Sequence, residues 1–333
     1  MKKFFNFLFF LVCFPFFHAE AAERQVYFVL WNGCEEACRG FLDYLKTSRE
    51  PISVIQRNLD KKTNEIPDLI EEVKANKPDL LVTWGTLASV EMLGNGSGEF
   101  VSRYGTIPAL FMVVSQPVES GLVTSLASQG RNITGVMHLV PLAEQLQSAR
   151  QVIAFRRLGI IYNPMETNAQ AAVNQLRQYA SLMNFELLER PLPLSKNEEP
   201  IAASIASLVA DLADKKTDLI YLGPDAFMNA NRKALIDTAT VFSIPVLSAS
   251  ESAVRNDNAL FAFVHRYYTV GQMAGKKALE ILAGKVPAYD IPIEAPQRSL
   301  FVVNMTAAKK LGVYPPLALL QNADIVNIPP SGN

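Results

Sequence analysis

The chain has 333 residues, of which 49% are hydrophobic and 19% are charged, and its formal net charge is −1. This composition is that of a globular protein, and the length suffices for two domains of ordinary size. The near-neutral charge lacks the basic excess that is typical of nucleic-acid-binding proteins, so we expect no nucleic-acid partner.

The first segment has the pattern of an export signal. Lys2 and Lys3 precede an apolar run over 4–17, and small residues follow at the positions where a signal peptidase cleaves. We therefore predict a signal peptide over 1–21 and a periplasmic or extracellular location. The apolar run is shorter than the roughly 20 residues that a membrane-spanning helix requires.

Anchoring as a lipoprotein through Cys13 is an alternative fate for this segment. Val12, which precedes Cys13, is bulkier than the small residues usual at that position, and the apolar run continues beyond the cysteine. Soluble export therefore ranks above a lipid anchor.

The chain after this segment alternates between short apolar runs and amphipathic stretches. Short apolar runs between turn residues predict buried strands, and apolar residues spaced by three and four predict helices. The first half gives strand 25–30, helix 35–46, strand 52–57, helix 66–74 and strands 80–83, 109–114 and 133–136. Because strand–helix–strand crossovers produce parallel pairing, we predict a parallel sheet.

The second half repeats this alternation after a helix at 142–153. Its predicted strands are 158–162, 185–189, 219–222, 245–248 and 260–263, and its predicted helices are 168–183, 200–212 and 230–240. A longer amphipathic helix at 270–282, two short strands at 291–293 and 300–304 and a helix at 306–311 follow.

One pattern occurs twice along the chain. Residues 78–86 read PDLLVTWGT and residues 217–225 read TDLIYLGPD, and an Ile-Pro pair opens the next strand at a similar distance in both cases. The repeat favours an α/β fold with two doubly wound parallel-sheet lobes and a cleft between them. One large doubly wound sheet is the alternative, because such sheets repeat strand, loop and helix as well.

Cys34 and Cys38 lie four positions apart, directly after the first predicted strand. In an oxidising compartment we expect them to form a disulfide that shapes the loop locally. A metal site is the less favoured alternative, because His138 and His265 lie in other segments and without ligand spacing. We predict no metal.

Candidate ligand-binding residues follow the predicted strands, because open parallel sheets bind ligands beyond the carboxyl ends of their strands. The candidates are Trp31, Asn32, Thr86, Ser115, Gln116, Asn163, Glu166, Asn168, Asp225, Ser250, Glu251 and Tyr267. For any one of them, helix capping or packing is the alternative role. Together they predict a cleft lined by hydroxyls, amides, carboxylates and an aromatic ring from each side, which suits a small polar ligand with an apolar portion.

The sequence contains no motif for catalysis or cofactor binding. It lacks a G-x-S-x-G elbow, a G-x-G-x-x-G dinucleotide loop and a G-x-x-x-x-G-K phosphate loop. We therefore predict a binding protein without a cofactor rather than an enzyme. A bilobed enzyme that uses Glu166, Asp225 or Glu251 with His265 is the alternative, and the spacing of these residues carries no signature.

Five stretches resemble a known family. They lie at 115–123, 132–136, 159–166, 267–271 and 303–312, and include the sequences NITGV, GIIYNPME, YYTVG and VNMTAAKKLG. In this order, and over nearly all of the mature chain, they resemble the ABC transporter substrate-binding proteins related to the tryptophan- and tyrosine-binding TrpX type.

The resemblance implies a type I periplasmic-binding-protein fold, in which the chain crosses between the lobes three times. On that fold, 22–137 with 265–286 would form the first lobe, and 138–264 with 287–333 the second. The three connecting segments would act as a hinge.

The resemblance also implies a function. A monomeric, exported solute-binding protein of an ABC uptake system would close on a small molecule, such as an amino acid or aromatic solute, and deliver it to a membrane permease. The residues that this implies near the ligand are Thr86, Ser115, Asn163, Asp225, Glu251 and Tyr267. Gln116, where the family usually has Asp, and the unusual segment 31–38 weaken the expectation of an aromatic amino acid. A sensing module for a signalling partner is the alternative.

Overall fold

The structure is a computed structural model, and it describes residues 23–95, 103–127 and 131–327. The predicted signal peptide and Cys13 lie outside these residues. Within the described ranges, no helix combines the length and apolar character needed to cross a membrane.

The first sheet has five parallel strands in the order β2-β1-β3-β4-β5. They are β1 (Arg24–Leu30), β2 (Ile52–Asn58), β3 (Leu80–Trp84), β4 (Ala109–Val114) and β5 (Ile133–Met137). Every residue of β3 and β4 is buried. Helices cover both faces of such a sheet, which is why its central strands are continuous apolar runs.

The second sheet has seven strands in the order β12-β11-β10-β9-β8-β6-β7. They are β6 (Arg157–Tyr162), β7 (Glu186–Pro191), β8 (Leu219–Leu222), β9 (Val246–Ser248), β10 (Phe261–Val264), β11 (Leu300–Asn304) and β12 (Asp324–Val326). Only the β10–β11 pair is antiparallel among these strands. The two sheets form two α/β lobes.

The helices that cover these sheets follow in chain order. They are α1 (Glu36–Leu45), α2 (Ile66–Asn76), α3 (Thr86–Leu93), α4 (Leu142–Val152), α5 (Thr167–Met183), α6 (Ile205–Asp214), α7 (Ala226–Ala230), α8 (Arg232–Val241), α9 (Glu251–Asp257), α10 (Tyr267–Leu282), α11 (Met305–Leu311) and α12 (Leu317–Leu320). The chain reverses after several of them at residues with a positive φ, among them Lys77 after α2 and Asn184 after α5.

Alternation along β1 shows how the first lobe divides its core between the two faces. Val26, Phe28 and Leu30 pack with residues of α1 and α10, whereas Tyr27 and Val29 pack on the opposite face with residues of α2 and α3. Successive side chains of a strand point to opposite faces, so a single strand supplies both layers.

The chain crosses between the lobes three times. Residues 138–141 connect β5 to α4, and residues 265–266 connect β10 to α10. The third crossing follows Glu294, whose carbonyl oxygen accepts a hydrogen bond from the backbone N–H of Met137 at 3.0 Å, and it ends at β11.

The stretch 288–294 differs from our expectation in two ways. We expected the second lobe to resume at residue 287, but Ala288, Ile291 and Ile293 pack into the core of the first lobe. The predicted strand at 291–293 is absent, and an isolated bridge between Val136 and Glu294 stands in its place. The alternating isoleucines are explained by burial in the two core layers of the first lobe, Ile291 on one face of the sheet and Ile293 on the other, beside the edge strand β5. The other lobe boundaries remain predictions.

Candidate ligand-binding cleft

A cavity of about 140 Å³ lies between the lobes, beyond the carboxyl ends of their strands. Residues that follow β1, β3 and β4 form its first-lobe wall, and residues that follow β6, β8 and β9 form its second-lobe wall. His138 and Tyr267, which lie at the first two crossings, also line it. The cavity therefore borders both lobes and two of the segments that join them.

Most of the twelve candidate residues lie at this cavity. Those that line it are Trp31, Asn32, Thr86, Ser115, Glu166, Asn168, Asp225, Ser250 and Tyr267. Gln116, Asn163 and Glu251 are absent from its wall. The structure therefore gives no support for a direct contact between these three residues and a ligand. The ligand-binding role of the other nine remains a prediction.

Hydrogen bonds explain the positions of Asn163 and Glu251. The Glu251 carboxylate is buried, and it accepts hydrogen bonds from the backbone N–H of Tyr267 at 2.8 Å and from Arg255 Nε at 3.0 Å. Asn163 Nδ2 donates to Glu166 Oε1 at 3.2 Å, and Asn163 Oδ1 accepts from the backbone N–H of Met165. Both side chains support the wall from behind it.

The first-lobe wall is built around Trp31 and the start of α3. Gly85 has a φ of 93°, and a Cβ on this residue would lie 3.3 Å from the Cβ of Trp31. Glycine adopts this backbone conformation without strain. It lets the chain turn into α3 beneath Trp31, and Thr86 Oγ1 then accepts a hydrogen bond from the backbone N–H of Ser115 at 3.3 Å.

A bulge shapes the end of β4 beside the same wall. The register between β4 and β5 shifts between Met112 and Val114, and Val113 has a φ of 57°. A positive φ is rare for a β-branched residue, and such conformations concentrate at functional sites. Val113 lines the cavity, and the sequence pattern gave no sign of this conformation.

Glu166 and Asp225 form a pair of carboxylates on the second-lobe wall, of which Asp225 is buried and Glu166 is half-buried. Asp225 accepts hydrogen bonds from the backbone N–H groups of Asn163 at 2.6 Å and Met228 at 2.7 Å. Glu166 accepts from those of Ala226 at 2.7 Å and Phe227 at 2.8 Å. Burial and the neighbouring Glu166 carboxylate raise the pKa of Asp225 to about 8. The pair therefore caps the N-terminus of α7.

His138 and Tyr267 pack edge-to-face where the cavity meets the crossings. Their ring centroids are 5.4 Å apart, with an interplanar angle of 86°. Burial lowers the pKa of His138 to about 4 and raises the pKa of Tyr267. Both rings are therefore uncharged at neutral pH and present aromatic surface with polar edges to the cavity.

Three charged residues that the strand-end analysis missed also line the cavity. Glu35 and Lys61 belong to the first lobe, and Arg232 belongs to the second. Burial raises the pKa of Glu35. Glu35 lies only a few residues beyond the end of β1, so a wider window after that strand would have included it. Arg232 opens a helix that the sequence pattern merges with the turn before it.

Cys34 and Cys38 form a disulfide with their Cα atoms 5.1 Å apart. The bond encloses Glu35 in a short ring at the start of α1 and ties this loop to Cys38, which is buried in the core of the first lobe. No group of three side chains suited to hold a metal ion occurs within the described ranges.

Known proteins are similar to this chain in sequence and in fold. A tyrosine-binding protein from Clostridioides difficile strain R20291 is 29% identical over 206 residues, which span 62% of this chain and 57% of that protein. A conserved domain protein from Vibrio cholerae has a TM-score of 0.78 at 24% identity, over 91% of this chain and 99% of its own.

A pneumococcal ABC domain solved in complex with L-Trp has the same fold, with a TM-score of 0.78 at 19% identity over 92% of this chain and 100% of its own. The family described as ABC transporter substrate binding protein matches residues 26–327. This match spans both sheets and every wall of the cavity. The chain therefore belongs to the family of ABC transporter substrate-binding proteins.

Proposed function

We propose that this protein is an extracytoplasmic receptor that binds an amino acid in the interlobe cavity and delivers it to an ABC permease. The observation that carries this proposal is a single cavity lined by both lobes and by two of the crossings between them. A ligand in such a cavity contacts both lobes only when they are close together. Binding therefore favours the closed arrangement, and closure about the crossings is the signal that a permease would read.

The chemistry of the wall supports a ligand with a polar head and an apolar body. Trp31, Trp84 and Tyr267 supply aromatic surface, and the hydroxyl and amide side chains around them supply hydrogen bonds. Small-molecule sites combine mostly apolar walls with a few polar groups in this way. The names of two relatives, a tyrosine-binding protein and a domain in complex with L-Trp, favour an aromatic amino acid.

A receptor that releases its ligand unchanged also fits the hydrogen bonding of the wall. The carboxylates of Glu166 and Asp225 accept hydrogen bonds from four backbone N–H groups. These bonds fix both groups as caps of α7, whereas a general acid or base has to reach a reacting atom. Their arrangement thus supports binding without turnover.

Calorimetric titration of the mature chain, which starts at residue 22, tests the proposal. The probes are the common L-amino acids, including L-tryptophan and L-tyrosine. We expect at least one of them to bind and to raise the melting temperature. A ligand at 100 times its dissociation constant stabilises the folded state by about 2.7 kcal/mol.

Two variants show whether binding takes place in the interlobe cavity. Trp31→Ala removes an aromatic wall of the cavity and is expected to weaken binding tenfold or more. Tyr314→Ala is the matched control, because Tyr314 is an exposed aromatic residue that does not line the cavity. Absence of binding to any amino acid would contradict the proposal, as would equal binding by the wild type and the Trp31 variant.

A further inference from the structure

The cavity wall carries three carboxylates, and two of them are already engaged. Glu166 and Asp225 accept backbone hydrogen bonds on all of their oxygens. Glu35, on the opposite wall, has a different environment. The neighbouring Asn32 side chain favours its charged form, and Glu35 forms no ion pair within 4.0 Å among the described residues. Glu35 is therefore the wall carboxylate whose oxygens are available to bind a ligand.

Partial burial destabilises the ionised carboxylate of Glu35 while no ligand is bound. An ionised carboxylate removed from water is unfavourable unless an opposite charge or hydrogen bonds compensate it. The positive charges of Arg232 and Lys61 oppose the effect of burial on Glu35, and neither residue forms an ion pair with it. A cationic group of a ligand next to Glu35 would supply the missing partner.

Arg232, on the second lobe, has a guanidinium nitrogen that is available to bind an anion. Its Nε donates to Asp257 Oδ2 at 2.5 Å, and its Nη1 donates to the backbone oxygen of Asn229 at 3.1 Å. Within the described part of the chain, Nη2 makes no hydrogen bond. Two bonds thus hold the guanidinium in place at the cavity, and its third nitrogen is left to donate to a ligand anion.

We propose that Glu35 and Arg232 are specificity residues that recognise the ammonium and the carboxylate of a zwitterionic amino acid from opposite lobes. This inference rests on the proposed function and names the residues that read the ligand's charges. Charge-assisted hydrogen bonds are about twice as strong as neutral ones. Because each residue belongs to a different lobe, a zwitterion that contacts both would link binding to closure.

The contribution of each ligand charge to binding is measured with analogues that lack either the carboxylate or the ammonium group. L-Tryptophan and L-tyrosine carry both charges, tryptamine and tyramine lack the carboxylate, and indole-3-propionate and 3-(4-hydroxyphenyl)propionate lack the ammonium. By calorimetry, the wild type is expected to bind the preferred amino acid at least tenfold more tightly than either of its analogues. This comparison requires no substitution.

Single-residue variants then assign each charge. Glu35→Gln is expected to weaken binding of the amino acid tenfold or more and to leave binding of the propionate analogue undiminished. Arg232→Gln is expected to weaken binding of the amino acid to a similar extent and to leave binding of the amine undiminished. Arg232→Lys keeps the charge and is expected to recover part of the affinity. Thermal melts establish that each variant is folded.

Glu36→Gln and Lys233→Gln are the matched controls. Both residues are sequence neighbours of the proposed pair, lie outside the cavity wall and form surface ion pairs with Arg39 and Asp237. We expect both variants to bind within twofold of the wild type. Tight wild-type binding of an amino acid that neither Glu35→Gln nor Arg232→Gln weakens selectively would overturn the charge pair alone. A wild type that binds no amino acid would overturn the proposed function together with it.

Discussion

At the scale of single residues, His138 makes the stability of the fold depend on pH. It is 6% exposed, and its Nδ1 atom is buried without a hydrogen-bond partner within the described ranges. Burial lowers its pKa from 6.5 to about 4. Between these values the unfolded chain binds a proton that the folded chain does not bind, so stability falls as the pH falls from 6.5 towards 4. At pH 5 the loss is about 2 kcal/mol.

Urea unfolding at pH 7 and pH 5 measures this loss. The wild type is expected to lose about 2 kcal/mol more than His138→Gln between the two pH values, because glutamine does not titrate. Asp225 acts in the opposite direction, since its raised pKa favours the folded state as the pH falls. The comparison with the variant isolates the contribution of the histidine. Equal losses in both proteins would show that His138 does not titrate as described.

Three of the candidate residues that follow a strand lie on the cavity wall, and their contact with a ligand remains a prediction. Trp31 directly follows β1, and Ser115 directly follows β4. Thr86 follows Gly85, the first residue after β3, and all three line the cavity. Arg232 was missed because α7 ends at Ala230 and a second helix begins two residues later. Apolar periodicity does not reveal such a break, so the residue read as part of a helix face.

At the scale of elements, glycines decide how α1 and α10 pack. A Cβ on Gly271 would clash with the backbone oxygen of Ala37, and a Cβ on Gly40 would clash with that of Tyr268. The two helices are thus in backbone contact, and this contact ties the chain after the second crossing to the first lobe. The sequence predicted the amphipathic helix at 270–282, but periodicity does not report which lobe a helix covers.

Gly271→Ala tests this packing, because close packing predicts that the substitution lowers the free energy of unfolding instead of raising it. In an exposed helix the change from glycine to alanine stabilises by roughly 0.5–1 kcal/mol. Here the added methyl group has no space, and overpacking costs about 1–3 kcal/mol. We expect denaturant unfolding to show a net loss of stability, while Lys276→Ala at an exposed position of the same helix has a small effect. A gain in stability for Gly271→Ala would contradict the close packing.

The last strands show where element prediction reaches its limit. β11 was predicted at its observed position, 300–304, because its apolar run is buried beside β10. β12 was missed, since three residues at a sheet edge form too short a pattern. The strand expected at 291–293 alternates in hydrophobicity and lies beside the edge strand β5, but it pairs with that strand only through the isolated bridge between Val136 and Glu294. Whether a segment meets a sheet edge in a pairing geometry is a tertiary property that local alternation does not report.

At the scale of the whole molecule, the repeated sequence pattern predicted two lobes, and the strand–helix–strand alternation predicted parallel pairing within them. Which charges face each other across the cavity depends on how the lobes are oriented. That orientation is set by three short crossings, of which only residues 265–266 follow a strand end that the sequence analysis singled out. The proposed roles of Glu35 and Arg232 on opposite walls could therefore not be derived from any pattern within either half of the chain.

Lobe closure gives the last prediction, because it involves the molecule as a whole. If an amino acid contacts both walls, the ligand-bound protein is more compact than the free protein, and small-angle scattering should record a smaller radius of gyration at saturating ligand. Arg232→Gln removes the contact on the second lobe and is expected to reduce this change even at ligand concentrations that saturate it. The Lys233→Gln control should contract like the wild type. A ligand that binds with calorimetric heat and leaves the radius of gyration unchanged would separate binding from closure and exclude closure as the signal to a permease.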